Sequence, residues 1–227
     1  MKKLKSAILP AILEGTSQEI EDKIDLVKSE VEIVQIDIMD GLMTPKKSWP
    51  YLDNETTSPK QIDSKGLNIE YHLMLQDNMP FLEKYLSDDV SGVLMQIESR
   101  DFQKSLKYLE NKGIYVGASV MLDSSLHELE PFISKIDLLQ FMSIEQIGVQ
   151  GSKFSDKVYH KVDQFKKEYP SYANKLTLAV DGGVSLEKIE RLASYGIKRF
   201  AIGSAIFRSD DVVATLHKMS EKLTVAF

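Results

Sequence analysis

Short apolar runs, each about as long as a β-strand, recur along the whole chain. Four of them are VQIDIM at residues 34–39, GVLMQI at 92–97, LLQFM at 138–142 and RFAIG at 199–203. A strand that is apolar at nearly every position is buried on both faces, as in a parallel sheet that helices cover on each side. The pattern therefore indicates an α/β fold.

Segments with helical spacing lie between these runs, so strands and helices alternate. Apolar content predicts strands at residues 7–9, 33–38, 69–75, 92–97, 115–120, 136–142, 176–180 and 199–202. Periodicity predicts helices, the first capped by Ser17, over residues 17–27, 80–86, 102–111, 126–133, 156–169, 186–194 and 212–223. The irregular stretch at 43–65 is expected to be a functional loop with a short helix, or a disordered segment.

Eight β/α units fit within 227 residues. That number and length favour a closed (β/α)8 barrel, the TIM barrel, over an open doubly wound sheet. No linker or low-complexity run separates the units. Residues 1–227 are therefore predicted to form a single (β/α)8 barrel domain.

Charge and composition exclude several classes of partner. The net charge of −6 provides no basic surface, so nucleic acid is not expected as a partner. No apolar stretch has the length of a membrane span, and Pro10 and Glu14 interrupt the only segment that resembles a signal peptide. We therefore expect no membrane contact and a cytoplasmic location. Because the chain has no cysteine, any metal must be bound by His, Asp, Glu or amide oxygens.

Three predicted strands end in side chains that can bind a metal or move a proton: Asp37, His72 and Asp181. The C-terminal ends of barrel strands form one rim, where such side chains converge. Two carboxylates facing each other across a bound sugar can act as base and acid on opposite faces of one carbon. A metal between them would stabilise the enediolate that forms when the intervening proton leaves. Hard oxygen ligands with one imidazole suit Zn, Mn, Fe or Mg.

Each of these residues also has an ordinary structural explanation. An Asp that follows a strand is often a turn-former or a helix cap, and Asp181 stands directly before two glycines. A single His in a strand is more often a buried side chain with satisfied hydrogen bonds than a ligand. The presence of all three on one rim favours the functional interpretation.

Small-residue turns follow the last two strands, at Gly182-Gly183 and Gly203-Ser204. Barrel enzymes commonly bind phosphate at these loops through backbone N–H groups, which an anion can approach because glycine has no Cβ. Two more glycines, in the loop after the sixth strand, are predicted to close the same anion site from another side: Gly148 and Gly151.

A methionine stands at or just beyond the end of three strands: Met39, Met74 and Met142. Filling of the core is one explanation, because methionine adapts to irregular gaps. The other is a flexible apolar lining that keeps water away from the reaction intermediate.

The motifs follow one another in a specific order and spacing. They are PAIL (residues 10–13), IDIMDG (36–41), YHLML (71–75), FMSIEQIGVQGSKF (141–154), VDGGV (180–184) and GSAIF (203–207). Together they resemble the ribulose-phosphate 3-epimerase family along nearly the whole chain, and the set is far more specific than any one motif.

The resemblance implies a (β/α)8 barrel that interconverts D-ribulose 5-phosphate and D-xylulose 5-phosphate. It implies that Asp37 and Asp181 form the acid–base pair and that a divalent metal is held by these aspartates and His72. It also implies phosphate-binding turns and an apolar lid, which match Gly183, Gly203, Ser204 and the three methionines.

Several positions in the working parts depart from the family's pattern. Gln35 stands where the family has a second metal histidine, and Ala11 replaces a serine that usually contacts the substrate or the metal site. The segments at 42–46 and 145–151 also differ from the usual loops. As a metal ligand, the neutral amide oxygen of Gln35 is weaker than imidazole, so metal affinity should be lower or absent; alternatively, Gln35 hydrogen-bonds the sugar directly.

The leading hypothesis is therefore an epimerase that acts on a phosphorylated ketose, with D-ribulose 5-phosphate as the default substrate. The alternative is a barrel that binds a phosphorylated sugar without epimerising it, or with a different specificity. A third is another phosphate-binding barrel, a lyase or synthase. Barrels of this kind often assemble, so a homo-oligomer is compatible with the sequence, which does not fix the oligomeric state.

Overall fold

The computed structural model describes residues 2, 4–52, 61–149 and 151–226. Within them, eight parallel strands pair in chain order, and the last closes a barrel against the first. The strands are β1 (Ala7–Ile12), β2 (Ile33–Met39), β3 (Asn68–Met74), β4 (Val90–Gln96), β5 (Tyr115–Val120), β6 (Leu138–Met142), β7 (Thr177–Asp181) and β8 (Arg199–Ile202).

Helices cover the outside of the barrel between the strands. They are α1 (Ser17–Val27), α2 (Met79–Tyr85), α3 (Phe102–Leu109), α4 (Lys157–Glu168), α5 (Pro170–Ala173), α6 (Ile189–Ser194), α7 (Ser204–Phe207) and α8 (Val212–Val225), with 3-10 turns at Leu126–Leu129 and Leu186–Lys188. The predicted (β/α)8 barrel is confirmed. Residues 53–60 of the predicted long loop, and position 150 after β6, lie outside the described residues. Across the described part of the chain, no helix is both long and apolar enough to cross a membrane.

Strand β1 is longer than the sequence predicts, because it continues through Pro10 to Ile12. Proline usually ends a strand pattern, since it cannot donate a ladder hydrogen bond. Here the strand changes partner at that point: residues 7–10 align with β8, and Ala11 and Ile12 align with β2. Ala11 is thereby brought next to Gln35, its register partner on β2.

Two helix predictions are wrong. The cap of α1 is Thr16, not Ser17: the Thr16 side chain accepts from the Glu19 backbone N–H, and the Glu19 carboxylate accepts in return from the Thr16 backbone N–H. The helix predicted over residues 126–133 is only a 3-10 turn, Leu126–Leu129. Pro131 explains the difference, because proline has no N–H to donate the α-helical hydrogen bond to the carbonyl oxygen four residues earlier.

The main apolar core lies between the strands and the surrounding helices. Strand β2 illustrates how the sequence divides between this core and the barrel interior: Val34, Ile36 and Ile38 belong to the core and are fully buried. Because successive strand residues point to opposite faces, Gln35 and Asp37 are turned into the barrel.

A charged pair is buried near the N-terminal ends of the strands. The Arg199 guanidinium lies 2.8 Å from a carboxylate oxygen of Glu70. The Tyr115 hydroxyl donates to the same oxygen over 2.6 Å and accepts from Arg199 over 3.0 Å. Glu70 and Arg199 are only 2% and 5% exposed, so each neutralises a charge that water does not reach.

Glu70→Ala is expected to lower the free energy of unfolding by about 3–5 kcal/mol, because it leaves a buried guanidinium without its counter-charge. Urea denaturation followed by circular dichroism measures the loss. The matched control is the exposed pair Lys28–Asp25, whose groups are 2.8 Å apart; Asp25→Ala should leave the unfolding midpoint unchanged. Equal midpoints for the two variants would contradict the assignment of a stabilising role to the buried pair.

Candidate active site

Asp37, His72 and Asp181 converge at the C-terminal end of the barrel. Asp37 and His72 are register partners on β2 and β3, and Asp181 is the last residue of β7. The Nδ1 atom of His72 lies 3.3 Å from Oδ1 of Asp37 and 3.1 Å from Oδ2 of Asp181. The barrel therefore brings together the three residues that the sequence selects, and the imidazole sits between the two carboxylates.

The three side chains differ in their access to solvent. The His72 side chain is fully buried, whereas each aspartate side chain is 12% exposed. Asp37 and Asp181 line a cavity at this end of the barrel. The carboxylates can thus contact a ligand in the cavity, whereas the buried imidazole contacts them from the barrel interior.

The charges of these three side chains shift the pKa values of His72 and Asp37. Burial alone lowers the pKa of His72, but the hydrogen bonds and negative charges of Asp181 and Asp37 outweigh it and raise this pKa to about 10. Burial, followed by the negative charge of Asp181, raises the pKa of Asp37 above its ordinary value, against the hydrogen bonds from His72 and Gln35. The imidazole is therefore protonated at neutral pH and offsets part of the charge of the carboxylate pair.

Gln35 joins the same two carboxylates. Its Nε2 atom donates to Oδ1 of Asp37 over 2.9 Å and to Oδ2 of Asp181 over 3.1 Å. Its Oε1 atom is buried and has no hydrogen-bond partner among the described residues. Gln35 thus presents an N–H donor, rather than a ligand oxygen, to the carboxylates.

Two further buried glutamines, Gln96 on β4 and Gln140 on β6, surround the site, and sequence reasoning missed both. With its amide oxygen toward His72, Gln96 accepts from Nε2 of the imidazole over 3.1 Å, and its nitrogen then donates to Glu98 and to the Ser119 carbonyl oxygen. This contact fixes a hydrogen on Nε2 and turns Nδ1 toward the carboxylates. The available signal was a single amide within an otherwise apolar strand, as in VLMQI and LLQFM.

The Gln140 amide approaches the site from β6, two strands along the barrel from Gln96. Its Nε2 atom lies 3.4 Å from Oδ2 of Asp181 and 3.5 Å from Nδ1 of His72. These contacts are longer than those of Gln35, and no contact with Asp37 is among those described. Gln140 therefore supports one carboxylate, whereas Gln35 spans both.

The donor atoms at this site are of the kinds that bind a divalent metal. One ligand atom from each of Asp37, His72 and Asp181 lies within 4.8 Å of the others. Two carboxylate oxygens and an imidazole nitrogen are ligands that Zn, Mn, Fe and Mg accept. The cluster could therefore hold a metal ion, which would displace the proton from Nδ1 of His72. In its observed orientation the Gln35 amide adds no ligand, and its orphaned Oε1 is the only atom through which it would.

Most of the other predicted site residues line the same cavity. They are Met74, Met142, Gly148, Gly151, Gly182, Gly183, Gly203 and Ser204. Ala11 and Leu13 of the PAIL motif also contribute to the lining. Met39 packs with Met74 and Met142 in one apolar cluster, but Met39 and His72 are buried behind the cavity wall.

At two of the glycine turns, the backbone packs directly against the backbone of a neighbouring segment. At Gly183, where φ is +64°, an added Cβ would lie 2.6 Å from the Phe154 nitrogen and 2.7 Å from the Ser152 carbonyl oxygen. At Gly203 it would lie 2.8 Å from the Ala11 carbonyl oxygen. A side chain at Gly183 would force apart the loops after β6 and β7, and one at Gly203 would push the turn after β8 away from β1.

Comparison with known proteins identifies the sequence pattern. A family model described as the ribulose-phosphate 3 epimerase family matches residues 7–207. The chain is 30% identical over 233 residues to a ribulose-phosphate 3-epimerase from Buchnera aphidicola subsp. Baizongia pistaciae, covering 98% of this chain and 97% of that protein. It is 28% identical over 227 residues to the cytoplasmic isoform of ribulose-phosphate 3-epimerase from Oryza sativa subsp. japonica, covering 94% of each.

Solved structures with the same barrel include enzymes of several kinds. The 3-hexulose-6-phosphate synthase from Salmonella typhimurium has a TM-score of 0.70 and 17% identity, covering 99% of this chain and 100% of that chain. A tryptophan synthase alpha-subunit from Pyrococcus furiosus has a TM-score of 0.65 and 12% identity, covering 98% and 100%. At these identities the likeness shows the fold alone.

The close approach at Gly183 can be tested against a glycine that differs only in its surroundings. Gly66 also has a positive φ, +86°, but an added Cβ there meets nothing within 4 Å. Gly66→Ala should cost about 1–2 kcal/mol of unfolding free energy from backbone strain alone. Gly183→Ala should cost about 1–3 kcal/mol more, because the loops must also separate. Urea denaturation measures both, and equal losses would contradict the tight packing of these loops.

Proposed function

We infer that this chain, which belongs to the ribulose-phosphate 3 epimerase family, epimerises a ketose phosphate at C3, with D-ribulose 5-phosphate as substrate and D-xylulose 5-phosphate as product. The observation that carries the proposal is the carboxylate pair: Asp37 and Asp181 reach one cavity from β2 and β7 and share contacts with His72. Such a pair can remove a proton from one face of a carbon and return another to the opposite face.

In the proposed reaction, each aspartate serves one face of the substrate. In one direction Asp181 accepts the proton from C3, and Asp37, whose pKa is raised by burial and by the charge of Asp181, donates its own proton to the opposite face of C3. In the reverse direction the roles exchange.

A divalent ion of the Zn, Mn, Fe or Mg class, held by Asp37, His72 and Asp181, would supply a positive charge that stabilises the oxygens of the enediolate. The protein's own groups perform the remaining tasks. His72 holds both carboxylates in place from below. Met74 and Met142 provide an apolar wall that limits access of water to the reacting carbon.

The proposed phosphate position lies on the glycine-bearing side of the cavity. Gly182, Gly183, Gly203 and Ser204 line that side, as do Gly148 and Gly151 of the loop after β6. The backbone N–H groups of the first four residues are the proposed donors to the phosphate. Because these turns carry no bulky side chains, a phosphate group can approach the backbone closely. The loops after β7 and β8 are the usual phosphate site of a (β/α)8 barrel.

Solvent-deuterium incorporation at C3 of D-ribulose 5-phosphate tests the reaction directly. The wild-type protein should exchange this hydrogen, and Asp37→Asn or Asp181→Asn should slow the exchange by about 10²–10⁴-fold, because each variant removes one proton-transfer group. Asp25→Asn, on the exposed face of α1, is the control. Absence of incorporation by the wild type, with Mn²⁺ or Zn²⁺ present, would reject the epimerase mechanism.

Metal binding can be measured separately from turnover. Mn²⁺ should bind with an affinity that falls at least tenfold in His72→Leu, because this change removes the imidazole ligand. His160→Ala changes an exposed histidine of α4 and should leave the affinity unaltered. Isothermal titration calorimetry gives the dissociation constants. Equal affinities in the wild type and His72→Leu would mean that the metal binds elsewhere.

A further inference from the structure

At the inner end of the site, four polar contacts from two nitrogen atoms are made to only two carboxylate oxygens. Oδ1 of Asp37 and Oδ2 of Asp181 each lie within 2.9–3.3 Å of two nitrogen atoms, Nε2 of Gln35 and Nδ1 of His72. The two nitrogens thus bridge the same pair of oxygens from two sides. A cation shared by the carboxylates would have to face both nitrogens as well.

Gln35 connects the two carboxylates through a neutral side chain, so it adds no charge to the site. Two carboxylates this close repel each other, and burial strengthens the repulsion. A side-chain amide nitrogen has two hydrogens, so one Gln35 side chain can donate to each carboxylate at once. A hydrogen bond to a charged acceptor is stronger than one between neutral groups. The pair is therefore held together by a donor of the chain itself.

The orphaned oxygen of Gln35 shows which way the amide is set. Oε1 is buried without a partner among the described residues, so the observed orientation satisfies the nitrogen and not the oxygen. If the amide turned over, Oε1 would face the two carboxylates, which is favourable only with a cation between them. The nitrogen would then occupy the place where Oε1 has no partner, and a buried unsatisfied donor is costly.

We propose, building on the epimerase function above, that Gln35 is a positioning residue that assembles the Asp37–Asp181 pair in the metal-free protein and that competes with a divalent ion for the same two oxygens. The contacts of Gln35 and His72 leave Oδ2 of Asp37 and Oδ1 of Asp181 without a partner among the described contacts. On this proposal, these two atoms exchange protons with the substrate, and proton transfer does not require a bound metal.

Three substitutions at Gln35 separate the possible roles of this side chain. Gln35→Met keeps the length but removes the donor. Gln35→Glu keeps the shape but replaces the donor with an oxygen of a third carboxylate group. Gln35→His supplies an imidazole, a stronger metal ligand than an amide. Thermal unfolding by circular dichroism establishes which variants are folded, and only folded variants are compared.

The first measurement uses the wild-type protein after dialysis against EDTA. It should exchange deuterium into C3 of D-ribulose 5-phosphate at a rate within about twofold of that with added Mn²⁺. Metal-free Gln35→Met should lose at least tenfold in kcat, with a change in KM of less than twofold, because the pair is no longer aligned although the cavity is intact. Exchange by the wild type only in the presence of metal would overturn the proposal and leave the epimerase function standing.

The second measurement requires no turnover. Mn²⁺ affinity, measured by electron paramagnetic resonance, should be at least tenfold tighter in Gln35→His and Gln35→Glu than in the wild type, because neither places an N–H donor pair against both carboxylates. In ¹⁵N NMR spectra, the side-chain amide signal that disappears in Gln35→Met should shift when Zn²⁺ is added. Equal Mn²⁺ affinities, or an amide signal that does not respond to bound Zn²⁺, would overturn the proposal even if no ketose phosphate is epimerised.

Discussion

The site depends on one electrostatic constraint: two carboxylates must remain side by side in a largely buried position. The closed barrel imposes this arrangement, because Asp37 on β2 and Asp181 on β7 are carried to the same rim by strands that are fixed in register. Burial and mutual repulsion both favour separation or neutralisation of the two groups. Their stability in place requires donors on the inner side, which His72 and Gln35 supply.

A second set of buried polar side chains lies at the N-terminal end of the barrel. It stabilises the fold. Glu70 and Arg199 are paired and hydrogen-bonded to Tyr115, so their opposite charges compensate each other within the protein. At the C-terminal end, Asp37 and Asp181 are held by His72 and Gln35 but also line a cavity. Ionisable groups that open onto a cavity make this end suited to chemistry, whereas the buried pair supports the other end.

The barrel and the Asp–His–Asp cluster could be predicted from sequence because both follow from local patterns. Apolar runs mark the strands, and a polar residue at the end of such a run falls on the rim. Gln96 and Gln140 were missed because an amide has no characteristic chemistry, and its role appears only through its contacts with His72. The same limit applies to Gln35: the sequence identifies a replaced histidine, but only the structure shows that nitrogen rather than oxygen faces the carboxylates.

The two departures at the base of the site are neighbours, and this arrangement gives the replacement a physical explanation. Ala11 and Gln35 are register partners on β1 and β2, so a hydroxyl and an imidazole of the family pattern are absent from adjacent positions. Loss of the imidazole alone would leave the carboxylates with fewer positive or donor groups. An amide at position 35 restores two donors, and Ala11, which is 5% exposed at the cavity wall, introduces no polar group that needs a partner. The two changes together therefore fit a site in which hydrogen bonds from Gln35, rather than a cation alone, stabilise the negative charge of the two carboxylates.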